Sequence, residues 1–198
     1  MTPGVPPPDA PLLIHGSSDA RFAPVRAAFA ANFRQEREVG AALAIALDGR
    51  LVVDLWAGLA DPVTARPWAE DTLVGVASVT KGITTLAALH LVERGLLDLE
   101  APVARYWPEF ARAGKEAITV RHLLNHRAGL PAVGPDLPAE ALFDWGACIG
   151  ALEDTAPAWA PGTRHGYHPM TFGYLVGEVV RRVTGVSVGH YLRTEITG

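Results

Sequence analysis

Cysteine is almost absent from this sequence. Only one of the 198 residues, Cys148, is a cysteine, which excludes an internal disulfide framework and a metal site built from several thiolates. No uninterrupted apolar run approaches the roughly 18 residues of a membrane-spanning helix, and the chain does not open with a basic segment followed by an apolar one. From these absences we expect a protein of the cytoplasm that does not enter a membrane.

Neither sign of charge is in large excess. The 17 basic and 21 acidic residues are interspersed and leave a formal net charge of -4. The sequence therefore has neither the basic stripe that binds nucleic acid nor a charged tail. With 49% hydrophobic and 19% charged residues, the chain can bury a substantial core and is predicted to be globular. We expect a small molecule or another protein as partner, not nucleic acid, and make no prediction of oligomeric state.

The first part of the chain has the pattern of an arm, a helix and a strand pair. Residues 1–19 are predicted to be a proline-rich N-terminal arm. Residues 20–36 predict an amphipathic helix, and its apolar face consists of Phe22, Val25, Phe29 and Phe33. Residues 41–47 and 51–56 predict two antiparallel strands, because the Asp48-Gly49 dipeptide between them favours a tight hairpin turn.

The remainder of the chain is mostly helical in pattern. The periodicity predicts helices over residues 78–94, 120–125, 139–152 and 170–185. Because strands come early and helices late, the sequence predicts an α+β fold in which a helical cluster follows a hairpin. Two strands are too few for a stable sheet, so we expect further strands from elsewhere, or a chain that is part of something longer.

Ser78 and Lys81 stand three positions apart where the helix over residues 78–94 begins. Positions i and i+3 share a helix face, so the Lys81 amine can reach the Ser78 hydroxyl. Serine is a weak nucleophile until a base removes its proton, and a desolvated lysine can be that base. The N–H groups at the helix N-terminus would stabilise the resulting alkoxide and an oxyanion.

A plainer interpretation is that Ser78 caps the helix and Lys81 is a solvated first-turn side chain. The amino-acid composition disfavours this plainer interpretation. The chain has 15 arginines but only two lysines, Lys81 and Lys115, and four serines, so a serine three residues before a lysine has a chance of about 4%. Where this sequence needs only positive charge it mostly uses arginine, which loses its proton less readily than lysine.

Tyr167 lies in a loop rich in proline and glycine, ahead of another predicted helix. A phenol placed there can project into a cleft and carry a proton between a nucleophile and a leaving group. Taken alone, a tyrosine is more often a packing residue. Its occurrence together with Ser78 and Lys81 makes these three residues the candidate catalytic group.

Four histidines offer an alternative, a metal site. His122 and His126 are four residues apart and can place both imidazoles on one helix face. Leu123 occupies the position where the zincin pattern H-E-x-x-H has its glutamate, so the general base is missing. His165 and His168 have no acidic neighbour in their loop. We expect capping and loop hydrogen bonds from these histidines, and neither a metal nor another cofactor.

Three segments in order carry a resemblance to a known family. They are SVTKGITTLAALHLVERGLLDLEAPVARYWPEF, ITVRHLLNHRAGLP and PGTRHGYHPMTFGYLVGEVVRRVTG. The sequence resembles the serine β-lactamase and DD-peptidase superfamily, and more narrowly the class C β-lactamase-like carboxylesterases, often called family VIII esterases. The resemblance covers nearly everything from residue 20 to the end of the chain.

The resemblance implies a serine hydrolase that cleaves small carboxylic esters through an acyl-serine intermediate. By this likeness Ser78 matches the acylated nucleophile, Lys81 its partner base, and Tyr167 the tyrosine that assists proton transfer. The implied fold is β-lactamase/transpeptidase-like, with an antiparallel sheet flanked by helices, an all-helical domain, and the active site between them.

One departure from the family pattern concerns the second motif. In β-lactamases and peptidases this motif reads Tyr-x-Asn, whereas here Tyr167 is followed by His168 and Pro169. The asparagine would hydrogen-bond the amide of a β-lactam or peptide, and proline has no side-chain donor. Pro169 therefore favours an esterase over the alternative, a β-lactamase or DD-peptidase-like amide hydrolase.

A second departure is that the family's third motif and most of its sheet fall beyond this sequence. We interpret the chain as the N-terminal part of a longer hydrolase that lacks the C-terminal sheet strands. Residues 1–19 are then the arm, 20–76 the start of the α/β domain, and 77–198 the nucleophile helix and a truncated helical domain. We expect weak or no activity from the chain alone, and as partners a small ester and the missing C-terminal part.

Other classes stay open beside this interpretation. A Ser-His-Asp hydrolase would carry its nucleophile in a G-x-S-x-G elbow, which the segment around Ser78 lacks. A non-catalytic binding protein of the same fold is disfavoured by the presence of all three candidate residues. Cys148 is predicted to be a buried apolar residue. Trp145 and Trp159 could line an acyl pocket, although core packing is the more common role.

Overall fold

The chain contains a unit with a sheet and a helical unit. The computed structural model describes residues 12–35, 38–134 and 137–198. The two compact units are Met1–Gly75 and Val76–Gly198. The first contains an antiparallel sheet and one long helix, and the second is built from helices. The predicted α+β class is therefore confirmed.

An antiparallel sheet organises the first unit. Its strands are β1 (Ile14–Ser18), β2 (Gly40–Leu47), β3 (Arg50–Asp61) and β4 (Arg66–Pro67). Strand β3 lies between β1 and β2, and β4 pairs with its end. Leu47 pairs with Arg50 across the predicted turn, where Asp48 and Gly49 have φ of 50° and 74°. Aspartate and glycine are the residues that adopt this left-handed turn most easily.

Strand β1 lies in the segment 1–19 that the sequence assigned to an arm. Ile14 pairs with Ala57 and Ser18 with Val53, so the edge of β3 that β2 leaves free supplies the backbone partners. The strand itself is short and mostly polar, which is why no periodic pattern marks it. Residues 1–11, which hold the arm's prolines, lie outside the described residues.

Helix α1 (Ala23–Gln35) packs on the sheet, after a helical turn at Ala20–Phe22. Phe29 is buried, and the other predicted face residues pack against the same cluster. The cluster's sheet side alternates along β3, with Val53, Leu55 and Ala57 fully buried. This alternation is expected of a strand with one covered face, and the predicted helix face is confirmed.

The second unit is a cluster of helices around a buried central one. The helices are α2 (Thr80–Glu93), α3 (Val120–Leu124), α4 (Trp145–Asp154), α5 (Thr171–Thr184) and α6 (Val188–Leu192). Helix α5 contacts the other four. Its buried apolar side chains recur at helical spacing and are Phe172, Leu175, Val176, Val179 and Val180. No helix in the described part of the chain is long and apolar enough to cross a lipid bilayer.

The helix predicted over residues 139–152 is two pieces. A short helical turn occupies Ala139–Phe143, and α4 begins at Trp145. Asp144 separates them with an extended backbone, and its carboxylate accepts the Ala147 N–H at 3.0 Å. An N-cap residue has non-helical backbone angles. The single helix that the apolar pattern predicts is therefore interrupted at Asp144.

Lys115 is buried in this unit, unlike most lysines. Its Nζ donates to the backbone oxygens of Glu153 and Thr155, both at 2.7 Å. Burial lowers the pKa of Lys115. The ammonium thus satisfies carbonyl groups at the C-terminal end of α4, where helix carbonyls lack intrahelical partners.

A buried ion cluster joins α5 to its neighbours. The Glu178 carboxylate accepts from Arg181 and Arg182 at 2.7 Å each and from Trp145 Nε1 at 2.9 Å. Burial alone would raise the pKa of Glu178, but these three donors outweigh it and lower the pKa to about 2. Arg182 also pairs with Glu109 at 2.9 Å, so the cluster ties distant parts of the unit together.

We predict that Glu178→Gln destabilises the protein by about 3 kcal/mol at neutral pH, because it leaves two arginines without their buried partner. A carboxylate with a lowered folded-state pKa contributes stability above its ordinary pKa of about 4.5, and this contribution is lost as the pH falls towards 2. The variant should therefore be less pH-dependent in that range. Urea unfolding measured between pH 2.5 and 7 tests both expectations.

The matched control for this prediction is Glu195→Gln. Glu195 pairs with Arg94 at 2.8 Å, but both side chains are more than 40% exposed. Exposed pairs contribute about 0 to 1 kcal/mol, so the control should lose little stability. Equal losses in the two variants would contradict the assigned importance of the buried cluster.

Candidate active site

Ser78 lies in a single helical turn, Ala77–Val79, that leads into α2. Ala77 has φ of 43°, a left-handed conformation that costs an ordinary residue roughly 1–2 kcal/mol. No side-chain cap is made at the start of this turn or of α2, so Ser78 does not cap the helix. Its side chain is exposed. The strain at Ala77 was not foreseeable, because alanine carries no sequence signal for a left-handed conformation.

The three candidate catalytic side chains meet at one atom. Lys81 Nζ donates to Ser78 Oγ at 3.1 Å, and Tyr167 Oη donates to the same oxygen at 2.7 Å. Lys81 Nζ also lies 5.1 Å from the centroid of the Tyr167 ring. The first contact follows from helical spacing, whereas the second joins residues 89 positions apart.

Tyr167 is electrostatically perturbed by its two partners. The hydrogen bond with Ser78 is the largest influence and the Lys81 amine the next, and together they lower the pKa of the Tyr167 phenol. Its side chain is partly open to solvent, at 47% exposure. A phenol with a lowered pKa beside a serine hydroxyl is suited to accept and return a proton.

The turn that carries Ser78 also presents backbone donors. The first N–H groups of a helix have no acceptor within it, and the N-terminus favours negative charge. The N–H of Ser78 is in this position, at the start of the turn before α2. A carbonyl oxygen attacked by Ser78 Oγ can therefore find one stabilising donor on the nucleophile itself.

Three of the histidines considered as metal ligands accept backbone N–H groups through their rings. His122 Nδ1 accepts the Thr119 N–H at 3.3 Å in a capping box at the start of α3. His126 Nδ1 accepts the His168 N–H at 3.2 Å, and His168 Nε2 accepts the Leu130 N–H at 3.0 Å. Within residues 12–35, 38–134 and 137–198, no three His, Cys, Asp or Glu side chains are grouped to hold a metal ion. These three histidines make the capping and loop hydrogen bonds expected of them.

The remaining candidates have packing roles. Cys148 is buried, as predicted. Trp145 donates its indole N–H to Glu178, and Trp159 Nε1 donates to the backbone oxygen of Arg164 at 3.1 Å. Both indole N–H groups therefore bond to neighbours in the second unit, but Trp145 is 40% exposed and Trp159 is half-buried, so neither is a core residue.

Comparison with known proteins identifies the family. The Beta-lactamase family model matches residues 25–198. This match extends over far more than half of the chain and includes Ser78, Lys81 and Tyr167. The chain therefore belongs to the Beta-lactamase family, and the resemblance inferred from the three sequence segments is confirmed.

Within that family the chain is similar to esterases and to a penicillin-binding protein homologue. It is 41% identical to Esterase/beta-lactamase LipL of Mycobacterium tuberculosis, over 96% of this chain and 44% of that protein. A penicillin-binding protein homologue from Caulobacter crescentus superposes with a TM-score of 0.85 and 44% identity, over 93% of this chain and 50% of the other. A family VIII carboxylesterase superposes with a TM-score of 0.82 and 44% identity, over 92% and 50%.

These comparisons confirm the β-lactamase/transpeptidase-like fold and also show its extent. The chain spans about half the length of the relatives it matches. The described part of the fold holds an antiparallel sheet and a helical unit.

We predict that Tyr167 ionises at a lower pH than Tyr174, because Ser78 and Lys81 favour the Tyr167 phenolate. Burial raises the pKa of Tyr174 to about 12, so this phenol should ionise only at strongly alkaline pH. In Ser78→Ala the largest influence on Tyr167 is removed, so its pKa should rise. Titration of ¹³Cζ-labelled tyrosine by NMR measures all four residues at once.

Ser17→Ala is the control for this titration, since Ser17 is an exposed serine of β1 in the other unit. It should leave every tyrosine unchanged. A Tyr167 titration that is the same in wild type and Ser78→Ala would show that the hydrogen bond has no influence on the phenol in solution.

Proposed function

We propose that this chain carries the nucleophile of a serine hydrolase that cleaves small carboxylic esters through an acyl-serine intermediate. The supporting observation is the convergence of Lys81 Nζ and Tyr167 Oη on Ser78 Oγ, at 3.1 and 2.7 Å. A serine flanked by two groups able to take its proton is an activated nucleophile. The similarity to a family VIII carboxylesterase supports the choice of esters.

In the acylation step Ser78 Oγ attacks the ester carbonyl carbon. As the new C–O bond forms, the serine proton passes to the Lys81–Tyr167 pair, in which either the lysine is a neutral amine or the tyrosine is a phenolate. The carbonyl oxygen becomes an oxyanion that accepts the N–H of Ser78. When the tetrahedral intermediate collapses, the bond to the alkoxy group breaks, and Tyr167 returns the proton to the departing alcohol.

In the deacylation step water replaces the alcohol. The same pair takes a proton from water, whose oxygen attacks the acyl carbon, and the second tetrahedral intermediate expels Ser78 Oγ. The proton returns to the serine, and the carboxylic acid leaves. The second oxyanion donor would come from the C-terminal part of the same fold, which is the partner this chain requires for efficient turnover.

The alternative within the family is amide chemistry, as in a β-lactamase or DD-peptidase. The residue two positions after Tyr167 bears on this choice. Pro169 is exposed and has no donor to offer a substrate amide, whereas an ester has no such group to satisfy. We therefore propose ester hydrolysis as the main activity and β-lactam opening as the alternative.

A cytoplasmic location of the protein also remains a prediction.

The nucleophile assignment predicts that Ser78→Ala in the full-length protein abolishes turnover of p-nitrophenyl butyrate. It should also abolish the mass increase that a fluorophosphonate probe produces, because the probe reports an activated serine. Ser187→Ala is the control, since Ser187 only caps α6. Retained ester hydrolysis in Ser78→Ala would refute the assignment, and a folded wild type that neither labels nor turns over would favour the binding-protein alternative.

The proton-transfer role predicts that Tyr167→Phe lowers kcat for the butyrate ester by a factor of about 10² to 10⁴, the usual contribution of a positioned acid or base. The phenyl ring keeps the packing, so KM should change little. Steady-state kinetics of the full-length wild type and of Tyr167→Phe measure kcat and KM. A kcat within threefold of wild type would exclude Tyr167 from proton transfer.

The substrate preference predicts that Pro169→Asn raises nitrocefin opening relative to ester hydrolysis by up to about tenfold, since one hydrogen bond contributes about 0.5–1.5 kcal/mol. Pro138→Asn is the control, an exposed proline before another helical turn where asparagine is tolerated. Wild-type protein that opens nitrocefin faster than it hydrolyses the ester would overturn the preference.

A further inference from the structure

The residues immediately before and after Tyr167 both donate their backbone N–H to a single residue, His126. The Gly166 N–H donates to the His126 backbone oxygen at 3.1 Å. The His168 N–H donates to His126 Nδ1 at 3.2 Å. One residue therefore holds the main chain on either side of Tyr167, once through its backbone and once through its imidazole.

The His126 ring also forms part of the surface on which the phenol rests. Its centroid lies 5.0 Å from that of the Tyr167 ring and 5.0 Å from that of Phe172, a buried residue of α5. His126 itself has φ of 61°, a left-handed conformation in which histidine, asparagine and aspartate are enriched. The imidazole thus fills the space between the Tyr167 ring and the helical core.

His168 reinforces this arrangement from the other side of Tyr167. Its side chain is fully buried, its Nδ1 donates to the Gly166 backbone oxygen, and its Nε2 accepts the Leu130 N–H at 3.0 Å. An imidazole that donates at one nitrogen and accepts at the other is neutral and in one tautomer. The loop around Tyr167 is thereby tied to the loop that follows α3.

Gly166 allows this close packing. A Cβ there would lie 2.5 Å from the Trp159 ring, so any larger residue would push the loop away. The backbone around Tyr167 is therefore held by several independent contacts, and none of them involves the phenol hydroxyl that points at Ser78.

We infer that His126, supported by His168, is a positioning residue that holds Tyr167 Oη within hydrogen-bond distance of Ser78 Oγ. The inference rests on the proposed function for its catalytic consequence. The role requires His126 Nδ1 to be unprotonated, because a protonated nitrogen cannot accept the His168 N–H. The groups that face His126 are His165, His168, Tyr167 and Lys81. Burial is the largest cause that lowers the pKa of His126, and it favours the neutral form.

The test uses two substitutions of His126 that separate its acceptor from its ring. In His126→Asn the acceptor Oδ1 is separated from Cα by the same number of bonds as Nδ1 of histidine, and asparagine adopts positive φ readily. In His126→Phe the ring is kept but the acceptor is lost. We expect His126→Phe to lower kcat for p-nitrophenyl butyrate by about 10- to 100-fold with little change in KM, because a small misplacement of a catalytic group has effects of this size. His126→Asn should recover most of that loss.

A double-mutant comparison distinguishes positioning of Tyr167 from general damage. In a Tyr167→Phe background the hydroxyl that His126 positions is gone, so adding His126→Phe should reduce kcat by no more than about twofold. The same loss in both backgrounds would show that His126 acts elsewhere and would overturn the inference. His165→Asn is the matched control, an exposed histidine of the same loop whose ring also touches His126, and it should retain wild-type kcat.

The tyrosine titration provides a readout that does not depend on turnover. If His126→Phe moves the phenol away from Ser78 and Lys81, the pKa of Tyr167 should rise towards its ordinary value, and in His126→Asn it should stay low. This result would support the positioning role even if Ser78→Ala retained activity and the proposed function were abandoned. An unchanged Tyr167 pKa in a folded His126→Phe variant would overturn the positioning role and leave the proposed function intact.

Discussion

The hydrogen bond between Tyr167 Oη and Ser78 Oγ is the contact on which the proposed chemistry of this protein depends. Lys81 is brought to Ser78 by the geometry of one helix, and this proximity would exist in an isolated peptide of the same conformation. The tyrosine comes from a loop 89 residues further along the chain. A hydroxyl and an amine at i and i+3 form a common surface pair, and only the phenol converts the pair into a group with two routes for a proton.

That contact in turn depends on the packing of the helical unit. Helix α5 begins four residues after Tyr167 and is the element against which the other helices pack. Its buried apolar face fixes the helix, the Glu178 cluster fixes its far end, and His126 and His168 fix the loop before its start. A buried carboxylate with three donors and a buried neutral imidazole with a donor and an acceptor are both satisfied groups, so neither carries the cost of an unpaired polar atom.

Several elements could be predicted because their signals are local. Asp48-Gly49 between two apolar runs specifies a hairpin. Phe22 in the helical turn before α1, together with Val25, Phe29 and Phe33 in α1, specifies the face that packs on the sheet. Strand β1 could not be predicted, because its residues are ordered by pairing with β3 and not by any pattern of their own. The break at Asp144 could not be predicted either, because the apolar periodicity of residues 139–152 continues across it. Asp144 caps the start of α4 and so separates α4 from the helical turn before it.

For the site, the sequence alone determined the Ser78 and Lys81 pair, since helical spacing and the scarcity of lysine are both written in the residues, and it indicated Tyr167 through the family resemblance. The histidines were visible only as a metal-like spacing. The tertiary structure decided that Tyr167 reaches Ser78, that His126 accepts the backbone N–H groups of the residues on both sides of Tyr167, and that Ala77 adopts a strained conformation before Ser78. The first two are contacts between residues far apart in the chain, whose distances are set by core packing, and none of the three leaves a periodic signal along the sequence.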